Sequence, residues 1–318
     1  MKIQQFRILI IVFVLVFSCS NSDDSNTQEE NPQSSKPNIL LIIADDMGLD
    51  ATPGYAIGNL KPNMPNLQGW MNSGIKFNNL WSNPTCSPTR ATIITGKYGF
   101  RTGVLDAGNT LSVNEVSLQR FLDINADETY NHAVIGKWHL SRNASHPNDM
   151  GINYFAGILN GGVQSYTNWN FTENNITTNS TEYTTTKFTN LAIDWIDKQS
   201  KPWFLWLAYN APHTPFHLAP NGLHSQGNLP TDSGSIDANP MPYYMSAIEA
   251  LDAEFGRLLT SLTPEEKANT LIIFIGDNGS PNQVAQSPYS RRKAKNSLYQ
   301  GGVNVPLVVS GHGVTRTN

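Results

Sequence analysis

From Pro37 onward the chain alternates short, continuous apolar runs with longer segments of helical period. Asn38-Ile39-Leu40-Leu41-Ile42-Ile43-Ala44 and Leu271-Ile272-Ile273-Phe274-Ile275 have no polar residue on either face of their middle, which predicts strands buried on both sides. Trp203-Phe204-Leu205-Trp206-Leu207-Ala208-Tyr209 is a third run of this kind. Residues 132–135 form a shorter one, and residues 305–309 a fifth. Between them, Phe188, Leu191, Ala192, Trp195 and Ile196 recur at helical spacing, as do Ile248, Leu251, Phe255, Leu258 and Leu262. Both stripes predict helices packed on a sheet, and residues 116–122 predict a shorter helix. Residues 160–186 are rich in Asn and Thr, show no period, and predict a long loop. The alternation predicts an α/β fold with a mostly parallel central sheet flanked by helices.

The pattern ahead of Pro37 is different. Lys2 and Arg7 flank and precede an apolar run over residues 8–17, too short to span a bilayer as a helix. This predicts a signal peptide over residues 1–18. Val16-Phe17-Ser18-Cys19 predicts a lipobox with Cys19 lipidated, and residues 19–36, with Asp23, Asp24, Glu29 and Glu30, predict an acidic flexible tether. The expectation is a cell-envelope protein, lipid-anchored in the outer membrane and facing the periplasm or the surface. Residues 37–318 are then the functional domain.

Composition narrows the function. With 39% hydrophobic and 10% aromatic residues among 318, a sizeable core can be buried. Lys and Arg number 21 against 25 Asp and Glu, a net charge of −4, so no basic excess exists to hold nucleic acid. Two cysteines exclude a disulfide scaffold. With Cys19 lipidated, Cys86 stands alone in Pro84-Thr85-Cys86-Ser87-Pro88-Thr89-Arg90, a polar, turn-forming stretch that suits a core thiol poorly.

The chemistry gathers where the strands stop. The first predicted strand ends in Asp45-Asp46 and the 271–275 strand in Gly276-Asp277-Asn278-Gly279. Lys137 and His139 follow the 132–135 strand, His213 follows the 203–209 strand, and Lys295 precedes the fifth. Open α/β sheets form their ligand crevices at that end. Helix capping and an Asx-turn would account for either acidic pair alone. Together, Asp45, Asp46, Asp277 and Asn278 offer hard oxygen ligands that suit Ca²⁺ or, less well, Mg²⁺. Arg90, Lys137 and Lys295 add positive charge, and His139 and His213 add proton transfer. Such an array suits a tetrahedral anionic group, and sulfate and phosphate esters both qualify. His217 and His224, in a Pro-rich loop, read as structural.

The order of these motifs resembles the formylglycine-dependent sulfatases of the alkaline-phosphatase superfamily. Cys86-Ser87-Pro88-Thr89-Arg90, continuing to Thr95-Gly96-Lys97, resembles the C-x-P-x-R signature of that family. Met64-Pro65-Asn66-Leu67, Gly136-Lys137-Trp138-His139-Leu140, Asn210-Ala211-Pro212-His213 and Lys295-Asn296-Ser297-Leu298-Tyr299-Gln300-Gly301-Gly302 keep its order. The resemblance implies hydrolysis of sulfate monoesters with Cys86 converted to formylglycine, whose hydrate is the nucleophile and an additional metal ligand. It implies Ca²⁺ on Asp45, Asp46, Asp277 and Asn278. Arg90 would hold the diol, Lys137 and Lys295 the sulfate, His139 would take the diol proton, and His213 would assist the leaving oxygen. It also implies a formylglycine-generating enzyme as a maturation partner.

Gln68, Ser141 and Gln300 depart from the family pattern at positions without a catalytic role there. The chain also stops before the family's smaller C-terminal subdomain, so the expectation is a fold lacking it. Tyr166, Trp169 and Phe171 in the long loop suggest carbohydrate stacking and hence a sulfated glycan or smaller sulfated molecule as substrate; Trp169 reads equally well as a plug of the loop. The alternatives are a phosphate or phosphonate monoester hydrolase on the same fold, and an inactive glycan-binding relative.

Overall fold

The uninterrupted apolar runs become neighbours in the middle of one sheet. The structure, a computed structural model, describes residues 36–126 and 130–316. The predicted signal peptide, Cys19 and residues 20–35 of the tether lie outside the described residues. Among the described residues the sheet has nine strands: β1 Asn38–Ala44, β2 Ile75–Phe77, β3 Asn131–Lys137, β4 Tyr154–Ile158, β5 Trp169–Glu173, β6 Ile176–Ser180, β7 Trp203–Tyr209, β8 Thr270–Gly276 and β9 Leu307–Gly311. Their order is β2-β9-β8-β1-β7-β3-β4-β5-β6. The central five, β8, β1, β7, β3 and β4, run parallel. Antiparallel strands complete both edges.

Alternation along the central strands builds two cores. Leu40, Ile42, Leu205, Leu207 and Tyr209 face a layer that includes the helices Thr184–Ile196 and Met241–Ser261. Leu41, Ile43, Phe204 and Trp206 face the other core, which takes Ala91 and Ile94 from the helix Cys86–Thr95. A strand with both faces covered must be apolar throughout, and β1 and β7 are.

Several boundaries differ from the expectation. β3 runs through Lys137, so that lysine is the strand's last residue. The fifth predicted strand lies at Leu307–Gly311 and is antiparallel to β8. The short helix is Leu118–Asn125, because Ser117 caps it by accepting from Arg120 N. Residues 160–186 are not a loop: they hold the β5–β6 hairpin and the first turn of the helix Thr184–Ile196. Asn174 and Asn175 make the hairpin turn at φ 41° and 75°, a conformation Asn tolerates better than most residues. β5 pairs with β4, which folds its aromatics inward. Tyr166 is 2%, Trp169 2% and Phe171 8% exposed. None is available to stack on a carbohydrate, which corrects that expectation; Trp169 is the plug, edge-on to Phe171 and Phe188.

Candidate active site

Strand register decides which residues meet. Ala44 pairs with Tyr209 on one side and with Gly276 on the other, and Gly136 pairs with Ala208. The residues that follow in each strand therefore leave the sheet at one level. Asp45, Asp46, Lys137, Asp277 and Asn278 are all buried there. Cys86 joins them as the first residue of the helix Cys86–Thr95, entered through extended Thr85. It is 2% exposed, so the motif is a buried helix start rather than an open turn.

Three cations meet three carboxylates. Arg90 donates to Asp277 Oδ2 through Nε at 3.1 Å and Nη2 at 2.8 Å, and its Nη1 donates to the Lys137 carbonyl at 2.7 Å. Lys137 Nζ donates to Asp45 Oδ2 at 2.5 Å, and Lys295 Nζ to Asp46 Oδ2 at 2.6 Å. His139 Nδ1 lies 3.2 Å from Cys86 Sγ. His213 Nε2 lies 3.7 Å from Asp46 Oδ2 at the more open side of the cluster. All residues proposed from the sequence for this site thus come together.

Burial and neighbouring charge set the protonation states. Burial raises the Asp45 carboxyl, against the pull of Lys137. Burial would raise Asp46 too, but neighbouring positive charge, that of Lys295 and Lys137 included, outweighs it and holds Asp46 well below the usual range. Burial lowers His139 to about 2, helped by Lys137 and Arg90. Burial likewise lowers His213 to about 4, against Asp46. Both imidazoles are therefore neutral at neutral pH, and the His213–Asp46 contact is not an ion pair. Burial also raises the Cys86 thiol despite Lys137, so a free thiolate is disfavoured.

The backbone is bent to fit. Asp46, His139 and Asn296 have φ of 69°, 54° and 70°, a region costly for non-glycine residues that recurs at functional sites. Other contributors carried no clear signal in the sequence. A Cβ on Gly161 would sit 2.6 Å from the His139 ring, and one on Gly162 3.2 Å from the His213 ring, so this pair lets both imidazoles pack against backbone. Tyr166 OH donates to the carbonyls of Asn210 and His213. Ser87 Oγ donates to the His139 carbonyl and accepts from Gly108 N. His217 stacks on Tyr166 with ring centroids 3.8 Å apart, in keeping with a structural role.

A cation fits the donors. Asp45 Oδ1 and Asn278 Oδ1 are buried without a hydrogen-bond partner, the state expected of oxygens built to hold an ion. Asp45, Cys86 and Asp277 each place one ligand atom within 4.8 Å of the others, and so do Asp45, Asp46 and His213. The oxygens are hard, which suits Ca²⁺ or Mg²⁺.

The Sulfatase family model matches residues 37–318. The chain belongs to the sulfatase family. This sulfatase is 27% identical to the uncharacterized sulfatase YdeN of Escherichia coli over 88% of its own length and 59% of that protein's. It is 28% identical to human N-acetylgalactosamine-6-sulfatase, over 86% and 56%. Among solved structures, Ps i-CgsB superposes with a TM-score of 0.73 at 25% identity, covering 87% of this chain and 66% of that one. A further crystal structure of that protein holds k-i-k-neocarrahexaose. The chain spans less than two thirds of these relatives.

Proposed function

We propose that this protein hydrolyses sulfate monoesters, with Cys86 converted to formylglycine and Ca²⁺ held by Asp45, Asp46, Asp277 and Asn278. The observation that carries this reading is the single buried cluster in which Cys86 Sγ touches His139 beside Asp45 and Asp277, with two orphaned oxygens alongside. Ca²⁺ would supply charge neutralisation and polarisation of the ester. Formylglycine would supply a hydrated carbonyl, one oxygen to bond sulfur and a second whose proton loss expels sulfate.

The chain's own residues do the rest. His139, kept neutral, accepts the proton of the group at position 86 through Nδ1. Lys137, fully buried, and Lys295, half-buried at the edge of the cluster, present ammonium groups to sulfate oxygens, where low dielectric strengthens them. The start of the helix Cys86–Thr95 adds the positive end of its dipole at the reacting residue. Arg90 locks Asp277 and the end of β3 in one frame. His213 Nδ1 is committed to the Thr214 carbonyl at 2.8 Å, so only Nε2 can serve the leaving oxygen. With Nδ1–H given to that carbonyl, the neutral ring offers Nε2 as an acceptor, so it could donate to the leaving oxygen only after taking up a proton, which burial opposes and Asp46 favours.

Sulfated carbohydrate is the proposed substrate class; the names of the human relative and of the Ps i-CgsB complex point the same way. The proposed maturation partner is a formylglycine-generating enzyme, and the predicted lipobox supports a lipid-anchored location in the cell envelope. The test pairs peptide mass spectrometry of residue 86 with matched aryl sulfate and aryl phosphate assays, before and after chelation. Sulfate turnover that follows formylglycine content and is lost on chelation is expected. Preferred turnover of phosphate, or full sulfatase activity from wholly unmodified Cys86, would overturn the proposal.

A further inference from the structure

The aromatics expected to meet a carbohydrate are buried, yet an exposed aromatic stands at the same end of the sheet as the active site. Phe77, the last residue of β2, pairs with Leu307, and Leu307 pairs with Ile275 two residues before Asp277. Trp81 lies beyond that level, bridged to Asn304. From there the chain reaches Cys86 in five residues, a span of at most about 18 Å. The segment carrying Lys295 is tied to this approach, since Asn296 N donates to the Pro84 carbonyl at 3.0 Å.

Trp81 is 63% exposed, and it is held: its Nε1 donates to Gln300 Oε1 at 3.3 Å. A pinned indole with an open face loses little side-chain entropy on binding, and the amide that pins it carries no charge to repel an anion. Tyr299, beside Gln300, is 56% exposed.

Charge completes the patch. The chain as a whole is at −4, but from Asn278 onward it contains no Asp or Glu, and Arg291, Arg292, Lys293 and Lys295 fall within five residues. Lys295 points into the active site, and Lys293 sits over the Tyr299 ring at 4.6 Å. Arg291 and Arg292 are exposed and make no hydrogen bond or ion pair among the described residues. Exposed guanidinium groups on the segment whose Lys293 covers the Tyr299 ring and whose Lys295 enters the active site suit a ligand that alternates flat apolar faces with repeated anionic groups.

We infer that Trp81, Tyr299, Arg291 and Arg292 form an extended subsite for the neighbouring residues of a polysulfated glycan chain, with Trp81 stacking on a sugar face and the arginines pairing with sulfates outside the reacting one. This rests on the sulfatase reading for its substrate class, but it is tested by binding rather than by turnover.

The probe is a chondroitin 6-sulfate hexasaccharide, with its desulfated counterpart and phosphatidylglycerol vesicles as comparisons. Acrylamide quenching reads Trp81, the one exposed tryptophan among the described residues. The sulfated hexasaccharide is expected to shield it, with binding weakened about tenfold by Trp81→Ala, about tenfold by Arg291→Gln/Arg292→Gln, and progressively by salt. Turnover of 4-nitrocatechol sulfate, too small to reach the patch, is expected to stay unchanged in both variants. Equal binding of the desulfated sugar, equal shielding by vesicles, or unchanged affinity in both variants overturns the subsite. Wild-type protein inactive on 4-nitrocatechol sulfate with formylglycine present, yet binding the hexasaccharide through Trp81, sinks the sulfatase reading and leaves the subsite standing.

Discussion

Replacing Arg90 by Met tests the electrostatic frame of the site directly. Arg90 is fully buried, makes two hydrogen bonds to Asp277 and one to the Lys137 carbonyl, and lies 4.0 Å from Asp45. Met fills much of the same volume, so the loss is mainly electrostatic. Removing one partner of a buried ion pair leaves the other charge uncompensated, at a cost of about 3–5 kcal/mol. Arg90→Met should therefore lower unfolding free energy in chelator by ~4 kcal/mol, read as a fall in the urea midpoint at constant m-value. Adding Asp277→Asn removes the stranded charge, so the double variant should be more stable than Arg90→Met alone by ~2 kcal/mol, with the coupling expected of contacting residues. A midpoint loss worth under ~1 kcal/mol for the single variant would refute the reasoning. So would a double variant destabilised by the full sum of the two single changes, because it would mean that the two side chains stabilise the fold independently.

Three further changes probe residues around the site. Lys61 Nζ shares its three protons among the surrounding carbonyls of Leu49, Asp50, Thr52 and Ile57. Lys61→Met strands those acceptors and should cost ~2 kcal/mol in thermal or urea unfolding, and an unchanged melting temperature would contradict it. Gly161→Ala puts a Cβ 2.6 Å from the His139 ring, so aryl sulfatase activity should fall at least about tenfold while unfolding stays cooperative; full activity would show that the imidazole is free to move. His217 stacks on Tyr166 and accepts from Tyr183 OH, and burial lowers it to about 4 from 6.5. A depressed folded value means that the unfolded chain binds the proton first. The contribution, at most about 3 kcal/mol, is present above pH 6.5 and lost as pH falls toward 4. His217→Phe should flatten the dependence of stability on pH by about one proton in that window, and an unchanged slope would count against it.

The site was legible where chemistry and burial coincide. Asp45-Asp46 and Asp277-Asn278 follow strands apolar on both faces, and such strands are read from residue type alone because no alternation has to be phased. What the sequence hid depends on placement. β6 is an outermost strand with Ile176, Thr177, Thr178 and Asn179 all exposed, so it has neither an apolar run nor an alternating one, and the hairpin passed as a loop. Tyr166, Trp169 and Phe171 are the residue types found both in cores and at sugar sites, and only the pairing of β5 with β4 decides that they are buried. Gly161 and Gly162 matter for what they leave out, which becomes visible only once the His139 and His213 rings are in place.

The charge balance of the cluster bears on how the site is assembled. Asp45, Asp46 and Asp277 are each met by a different cation, carried on β3, on the Cys86–Thr95 helix and on the segment after β8. Three buried carboxylates with no counter-charge would repel one another and take up protons. Lys137, Lys295 and Arg90 each supply one of those counter-charges. Two oxygens, Asp45 Oδ1 and Asn278 Oδ1, are the ones this scheme leaves over. A divalent cation binding there would enter this cluster and weaken the hold of Asp45 on Lys137 and of Asp46 on Lys295. The same ion that completes the carboxylate site would thereby leave the two lysines freer to engage an incoming anionic ester.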